Sequence, residues 1–295
     1  VSIARILIVA GSDSGGGAGI QADIKTVTLL GGHAMTAITA ITAQNTLGVQ
    51  AVHPVPTDMV LAQMESCISD IGVDAVKIGM IGSAETASAV ADRLAQLSVP
   101  VVFDPVMVAT SGSSLADGAT VAAFEKLMQV ATVITPNLPE LEALSGRAIA
   151  NLDELEDAAQ ALRERIGAVV LAKGGHLPQQ PDDDRPLIHD LLVDADMMAD
   201  YSVARVETRH SHGTGCTLAS AVAAGLGAGL SLGEAVDRAE AFVAAALGAA
   251  PGLGAGHGPM GHTLGRTPFY HLLAAMDRNG WDAAAFAARY GDAGD

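Results

Sequence analysis

The sequence predicts an α/β protein with a central, mostly parallel sheet flanked by helices on both faces. Three observations carry that expectation. Short apolar runs of about five to eight residues alternate with longer amphipathic stretches along most of the 295 residues. Hydrophobic residues make up 49% of the chain, enough for a sizeable core. Gly, Asp, Asn and Lys recur just after the predicted strands, the edge where open parallel sheets bind ligands.

Ile6–Ala10 opens the order, a continuous apolar run after one charge, Arg5. It reads as a buried strand, and it lacks the charged start and long apolar stretch of a signal peptide. The loop Gly11–Gly17 follows, then a helix over Ala18–Leu30. Met35–Thr42 is β-branched and Ala-rich, which favours a strand. Thr57 is placed to cap a helix running to Ile71; Ala75–Ile78 is a short strand and Ser83–Leu97 a helix. Val101–Phe103, Val130–Ile134 and Val169–Ala172 are strands ending at Asp104-Pro105, Thr135-Pro136-Asn137 and Lys173-Gly174-Gly175. Gln179–Pro186 is a polar surface loop, and Leu187–Val193 with Tyr201–Val206 suits a β excursion on one edge. Gly215–Leu226 and Leu232–Leu247 are Ala-rich helices, and Thr267–Asp295 reads as a helical appendage.

Composition excludes several function classes. Sixteen basic against 33 acidic residues give a net charge of −17, which repels nucleic acid and anionic membranes. The apolar segments are interrupted before they reach a spanning length. Two cysteines, Cys67 and Cys216, are too few for a disulfide framework or a Cys-rich zinc site, and suit a reduced, cytoplasmic setting. An anionic substrate would need a positive field supplied locally.

Three features can supply that field. His212-Gly-Thr-Gly-Cys-Thr217 precedes a helix, and Gly213 and Gly215 free successive N–H groups to face one point at its N-terminus. Cys216 in the first turn would have its thiolate stabilised there, making it the best-placed general base. Lys173 is one of only four lysines and follows a strand, as a phosphate ligand would; no role is assigned to Lys77. Asp104 and Glu140 are candidates to hold Mg²⁺, although either also suits a turn or a helix start. The Gly15-Gly-Gly17 loop is neither a Walker A nor a G-x-G-x-x-G motif; it is either a flexible turn or a close approach for a small ligand. His210-x-His212 lacks a third ligand, so a metal pair is not expected there, and His257 reads as a loop residue.

Taken in order, eight segments resemble the hydroxymethylpyrimidine/phosphomethylpyrimidine kinases. They are Ala10–Thr26, Thr42–Thr46, Lys77–Met80, Asp104–Met107, Thr135–Glu140, Lys173–His176, His212–Thr217 and Gly256–Pro259. The resemblance runs from about Arg5 to His262. It implies a ribokinase-like domain over 1–265, leaving 266–295 as an appendage of open role. It further implies an ATP-dependent kinase of thiamine biosynthesis with Mg²⁺ as cofactor, acting on small molecules as a homodimer. By the same resemblance Gly11, Asp23, Gln44, Met80, Val106 and Cys216 line a pyrimidine pocket. Gln44 can offer both a donor and an acceptor to an aminopyrimidine edge. Asn137 and Glu140 match an Asn-x-x-Glu motif for triphosphate and Mg²⁺, and Lys173 and Thr214 meet ATP. Gly213, Thr214, Gly215 and Cys216 form the anion hole. Many ribokinase-like enzymes carry an Asp where Cys216 stands. A pyridoxal kinase shares these features, and a catalytically silent sensor on the same fold is the third alternative.

Overall fold

The computed structural model describes residues 3–108, 112, 115–177 and 187–262, together with the backbone of 276–277 and 280–281. The chain divides into two compact units, 1–262 and 263–295. In the first unit the strands are β1 (Arg5–Ala10), β2 (His33–Ile38), β3 (Ala40–Asn45), β4 (Gly48–Pro54), β5 (Ala75–Ile78) and β6 (Val101–Phe103). They continue with β7 (Val133–Ile134), β8 (Val169–Lys173), β9 (Leu187–Val193) and β10 (Met198–Ala204). The helices are α1 (Gly19–Leu29), α2 (Thr57–Asp70), α3 (Ala84–Leu94), α4 (Gly118–Val130), α5 (Leu138–Ser145), α6 (Leu152–Ile166), α7 (Thr214–Gly227) and α8 (Leu232–Gly248).

Eight strands form one sheet in the order β10-β9-β8-β7-β6-β5-β1-β2. From β8 to β2 every pairing is parallel, while β9 and β10 run antiparallel at one edge, where the sequence places a β excursion. Strand alternation sends side chains to opposite faces. Leu7 and Val9 pack in one cluster with Val60, Val90, Phe124 and Leu162, from α2, α3, α4 and α6. Ile6 and Ile8 pack in the other with Val27, Val222 and Val236, from α1, α7 and α8. Aromatics are scarce, so Phe103 and Phe124 supply a T-shaped contact, 5.2 Å between ring centres, in the first cluster.

Several elements differ from the sequence expectation. The strand expected over Met35–Thr42 breaks at Thr39. There Thr39 N donates to Ala10 O and its hydroxyl donates to Met80 O at 2.6 Å, so the chain leaves the sheet. β3 then pairs with β4 in a separate hairpin that carries Gln44. Its turn has no Asn-Gly or Asp-Gly signal. Thr57 is the first residue of α2 rather than its cap, and its hydroxyl meets that of Thr86 at 2.9 Å. Val130 ends α4, leaving Val133–Ile134 as the strand. α4, α5 and α6, not singled out from the sequence, begin at Asp117, Asn137 and Asn151, whose side chains accept N–H bonds from the first turns. The polar loop Gln179–Pro186 lies outside the described residues. The described part of the expected C-terminal helical appendage consists of two paired antiparallel strands, Met276–Asp277 and Gly280–Trp281.

Lys77 is fully buried on β5. Its Nζ lies 3.0 Å from both oxygens of Asp23 on α1, which also accepts from Ser220 Oγ on α7 at 2.7 Å. Burial opposes the ammonium, but Asp23, helped by Cys216 and Asp104, outweighs it and holds the Lys77 pKa above the usual lysine value. Removing one partner strands the other charge, at a typical cost of about 3–5 kcal/mol. Lys77→Met should therefore lower the urea midpoint sharply, whereas Lys77→Met with Asp23→Leu should recover most of that loss. An equal midpoint for the single and double variants would show that the pair is not what carries the effect.

His262 closes the unit, its Nε2 2.9 Å from Thr217 Oγ1. Burial, aided by Lys25, lowers its pKa to about 4. The unfolded chain, with a His pKa of about 6.5, therefore takes up this proton first as pH falls. The His262 contribution is fully present above that value and is lost between about pH 6.5 and 4, at no more than about 1.4 kcal/mol per pH unit. Urea titrations at several pH values should show a shallower acid decline in His262→Asn than in the parent chain.

Candidate active site

The carboxyl ends of β1, β5, β6 and β8, the hairpin residue Gln44 and the N-terminus of α7 enclose a cavity of about 770 Å³. That volume suits small ligands. Gly11, Gln44, Met80, Val106 and Cys216 line it, as the resemblance implies. So do Asp104, Asn137, Glu140 and Lys173, with Gly213, Thr214 and Gly215. Asp23 does not. It is fully buried because it neutralises Lys77 between sheet and helices, so it acts on the site through Lys77 rather than by touching a ligand.

At the α7 end, Gly213 caps the helix with φ +88°, a conformation favouring glycine, and a Cβ there would strike Gly17 O. Thr214 Oγ1 donates to Ser211 O at 2.6 Å, fixing the turn. The first N–H groups of a helix have no intrahelical acceptor, so this terminus can receive an anion. Lys173 Nζ stands beside it, 3.1 Å from Asp104 Oδ1, which also accepts from Thr135 Oγ1 at 3.2 Å. A Cβ on Gly215 would lie 3.1 Å from that ammonium and 3.5 Å from Asp104 Oδ2. The glycine thus lets the cation and the helix terminus share one wall. Burial opposes the Lys173 charge, yet Asp104 and Glu140 hold its pKa above the usual value.

Cys216 contradicts the expected thiolate. Burial pushes its pKa up to about 11; Lys77 opposes the rise, but Asp23 and Asp104 add to it. At neutral pH the group is a thiol, kept so by desolvation and the two neighbouring carboxylates.

Asn137 and Glu140 form a reciprocal cap on α5. Asn137 Oδ1 accepts from Glu140 N at 3.0 Å, and Glu140 Oε2 accepts from Asn137 N at 2.8 Å. Burial raises the Glu140 pKa to about 7; Lys173 works against the rise and Asp104 with it. The helix-start reading of Glu140 is therefore correct, and the carboxyl still lines the cavity. No group of three or more metal-binding side chains occurs among the described residues. Two carboxylates with phosphate oxygens and water nevertheless match the way Mg²⁺ is commonly held.

Other residues escaped sequence reasoning. Asp13 lies inside the glycine motif but turns it inward: Oδ1 accepts from Gly15 N at 2.8 Å, and Oδ2 from Gly17 N at 2.9 Å and Ala18 N at 2.8 Å. Those amides serve Asp13 rather than a ligand. His212 Nε2 meets the same Oδ2 at 3.0 Å, so the histidine anchors a loop. Asp190 accepts from Gly174 N at 2.9 Å and hydrogen-bonds Glu240. Burial and the Asp190 charge raise the Glu240 pKa to about 9. Neither acid stands in a recognisable motif; only the fold brings α8 to β9. His257 is a loop residue, its Nδ1 3.2 Å from Arg209 O.

Comparison with known proteins places the chain in a family. The family model for phosphomethylpyrimidine kinase matches residues 13–261. A hydroxymethylpyrimidine/phosphomethylpyrimidine kinase of Rhizobium meliloti is 52% identical over 223 residues, covering 75% of this chain and 81% of the relative. One from Bacillus subtilis is 43% identical over 264 residues, covering 89% and 96%. Among solved structures, the Staphylococcus aureus pyridoxal kinase in complex with pyridoxal has a TM-score of 0.81 at 33% identity, covering 91% of this chain and 96% of that one. A phosphomethylpyrimidine kinase from Clostridium difficile has a TM-score of 0.71 at 37% identity, covering 82% and 98%. The chain belongs to the phosphomethylpyrimidine kinase family.

Proposed function

We propose that the chain transfers the γ-phosphoryl group of ATP to the hydroxyl of 4-amino-5-hydroxymethyl-2-methylpyrimidine, and a second γ-phosphoryl group to the resulting monophosphate, in thiamine biosynthesis. One observation supports this above the others: Lys173, braced by Asp104 against Gly215, shares a cavity with the donor–acceptor side chain of Gln44. In each step the acceptor oxygen forms a bond to the γ-phosphorus, the bond to the β-bridging oxygen breaks, and ADP leaves; in the first step the alcohol proton passes to an oxygen of the transferred phosphoryl group and then to water, as bond formation acidifies the hydroxyl. Such transfer depends on positioning and charge stabilisation more than on covalent help. Lys173 and the α7 amides receive the charge spread over the phosphoryl oxygens. Asn137 and Thr214 flank the phosphates. Asp104 and Glu140 would hold Mg²⁺ directly or through its waters, and the ion, when bound, neutralises phosphate charge. The two free thiols suit a reducing cytoplasm, and the family resemblance favours a homodimer.

A pyridoxal kinase is the second reading, favoured by the fold likeness at 33% identity. ATP turnover with the hydroxymethylpyrimidine, its monophosphate and pyridoxal decides between them. The first two should be consumed in sequence and pyridoxal far more slowly. Chelation should abolish turnover, and Mg²⁺ or Mn²⁺ should restore it. Lys173→Ala should lower kcat/KM by roughly 10²-fold through loss of a charge-assisted contact. Preferred turnover of pyridoxal, or ordinary kinetics in Lys173→Ala, would overturn this assignment.

With its pKa near 11, Cys216 is not a base at neutral pH. A loose transition state also needs little deprotonation of the attacking alcohol before bond formation. Cys216→Ala should therefore slow both steps by a similar, roughly tenfold factor, through lost packing under the phosphoryl group. The check is kcat/KM for each acceptor in parent and variant at fixed ATP and Mg²⁺. A loss confined to the alcohol step would restore the thiol as a proton acceptor.

A further inference from the structure

The amide of Gln44 sits between two neighbours. In the structure its Nε2 is 3.2 Å from His212 Nε2 and its Oε1 is 3.3 Å from Thr42 Oγ1, and the hydrogen bonds around them call for the reverse orientation. The two ends of an amide are nearly isosteric, so the hydrogen-bond network decides which is oxygen and which is nitrogen.

Asp13 fixes the first neighbour. Burial works to raise the Asp13 pKa, but hydrogen bonds from His212 and the loop amides outweigh it and hold the group below the usual carboxylate range. An ionised carboxylate only accepts. The proton in the 3.0 Å contact between Asp13 Oδ2 and His212 Nε2 therefore belongs to the imidazole. That nitrogen has no lone pair left, so an amide N–H of Gln44 facing it would meet another N–H, whereas the amide oxygen can share the imidazole hydrogen with Asp13 in a three-centre contact. The second neighbour gives the same answer independently. Thr42 Oγ1 donates its one hydrogen to Ser12 O at 2.8 Å, so towards Gln44 it can only accept. The amide end at Thr42 must be NH₂. Both constraints select a single orientation.

With one N–H given to Thr42 and one oxygen lone pair to His212, Gln44 retains one N–H and one lone pair on adjacent atoms, and the residue lines the cavity. This combination pairs with a ring edge that carries an amino group next to a ring nitrogen. An aminopyrimidine has such an edge. The pyridoxal ring nitrogen, flanked by a methyl carbon and a C–H, does not.

We infer that Asp13, His212 and Thr42 are positioning residues that lock the Gln44 amide in one orientation, so that the site selects an acceptor ring with neighbouring donor and acceptor. The inference rests on the proposed pyrimidine reading. It assigns selectivity to three side chains that need not touch the substrate. It also links ring recognition to the phosphoryl end, because His212 directly precedes Gly213, the cap of α7.

The test compares kcat/KM for 4-amino-5-hydroxymethyl-2-methylpyrimidine with that for the analogue lacking the amino group, at saturating ATP and Mg²⁺. The parent should prefer the amino acceptor by about 100-fold or more, since unpaired polar groups reject an analogue strongly. In His212→Phe the preference should fall about tenfold, mainly through a higher KM for the amino acceptor. His212→Gln, which keeps an N–H near the position of Nε2, should restore much of it. Thr42→Val removes the other anchor and should reduce the preference in the same direction, so it carries the test if His212→Phe does not fold. Equal losses on both acceptors in His212→Phe, or an unchanged preference in Thr42→Val, would overturn the inference. Gln44→Ala separates the two levels. If it retains the parent preference, the pyrimidine reading of Gln44 fails; if it loses the preference while the His212 and Thr42 variants keep theirs, only the positioning role fails.

Discussion

The buried ion pair between Lys77 and Asp23 is the constraint around which the site is assembled. It joins the middle of the sheet to α1, and Ser220 on α7 completes the set of donors to Asp23. These are the elements that bring the glycine loop and the anion-receiving helix terminus to one edge. A charge pair with no exposure is tolerated only when its geometry is nearly fixed, because slight separation leaves each ion poorly compensated in a low-dielectric interior. An apolar core can slide and repack; this pair restricts the placement of β5, α1 and α7 much more tightly. Its charge also reaches the ligand cavity, where Lys77 opposes the rise in the Cys216 pKa.

Above that pair, two loops interlock through glycine. A Cβ on Gly17 would lie 2.6 Å from His212 Cδ2, and one on Gly213 would strike Gly17 O. The loop after β1 and the loop before α7 therefore approach more closely than side chains allow, and Asp13 holds them together by accepting from both. This gives the triple glycine a purpose different from phosphate cradling. The amides of Gly15 and Gly17 are spent on an internal carboxylate, which leaves the proposed anion-receiving role to the N-terminus of α7, some 200 residues further along the chain.

The fold and most of the cavity wall were legible in the sequence for a local reason. Buried parallel strands announce themselves as short apolar runs, and the polar residues at their carboxyl ends are fixed within a residue or two by chain continuity. Asp104, Lys173 and the Gly213–Gly215 segment were found in this way. Three kinds of feature were hidden. The hairpin carrying Gln44 has no specific turn signal, so its first strand merged with β2. Pairs of residues distant in sequence, such as Asp13 with His212 or Asp190 with Glu240, carry no local pattern that names the partner. The ionisation state of Cys216 is hidden too: its helix-terminal position is visible in the sequence, whereas burial beside Asp23 and Asp104 is created only by folding.

The same reasoning explains how a chain with a net charge of −17 can accept polyphosphate. Total charge is an average over a surface, whereas a phosphoryl group responds to what lies within a few ångströms in a partly desolvated cleft. In that cleft Lys173 is cationic and opposes Asp104, and the α7 terminus adds partial positive charge without a counterion. Of the other acids lining the cavity, Asp13 is compensated by His212 and its own loop amides, and burial subdues Glu140 and Glu240. Glu240, with a pKa near 9, is neutral at pH 7, and burial lifts the pKa of Glu140 to about 7, which weakens its charge. A cation arriving with the phosphates would shift Glu140 toward its ionised form, so its charge would grow where it is compensated and fade where it is not. Burial of carboxylates, usually a cost to a fold, here removes negative charge from the wall that an anionic substrate approaches.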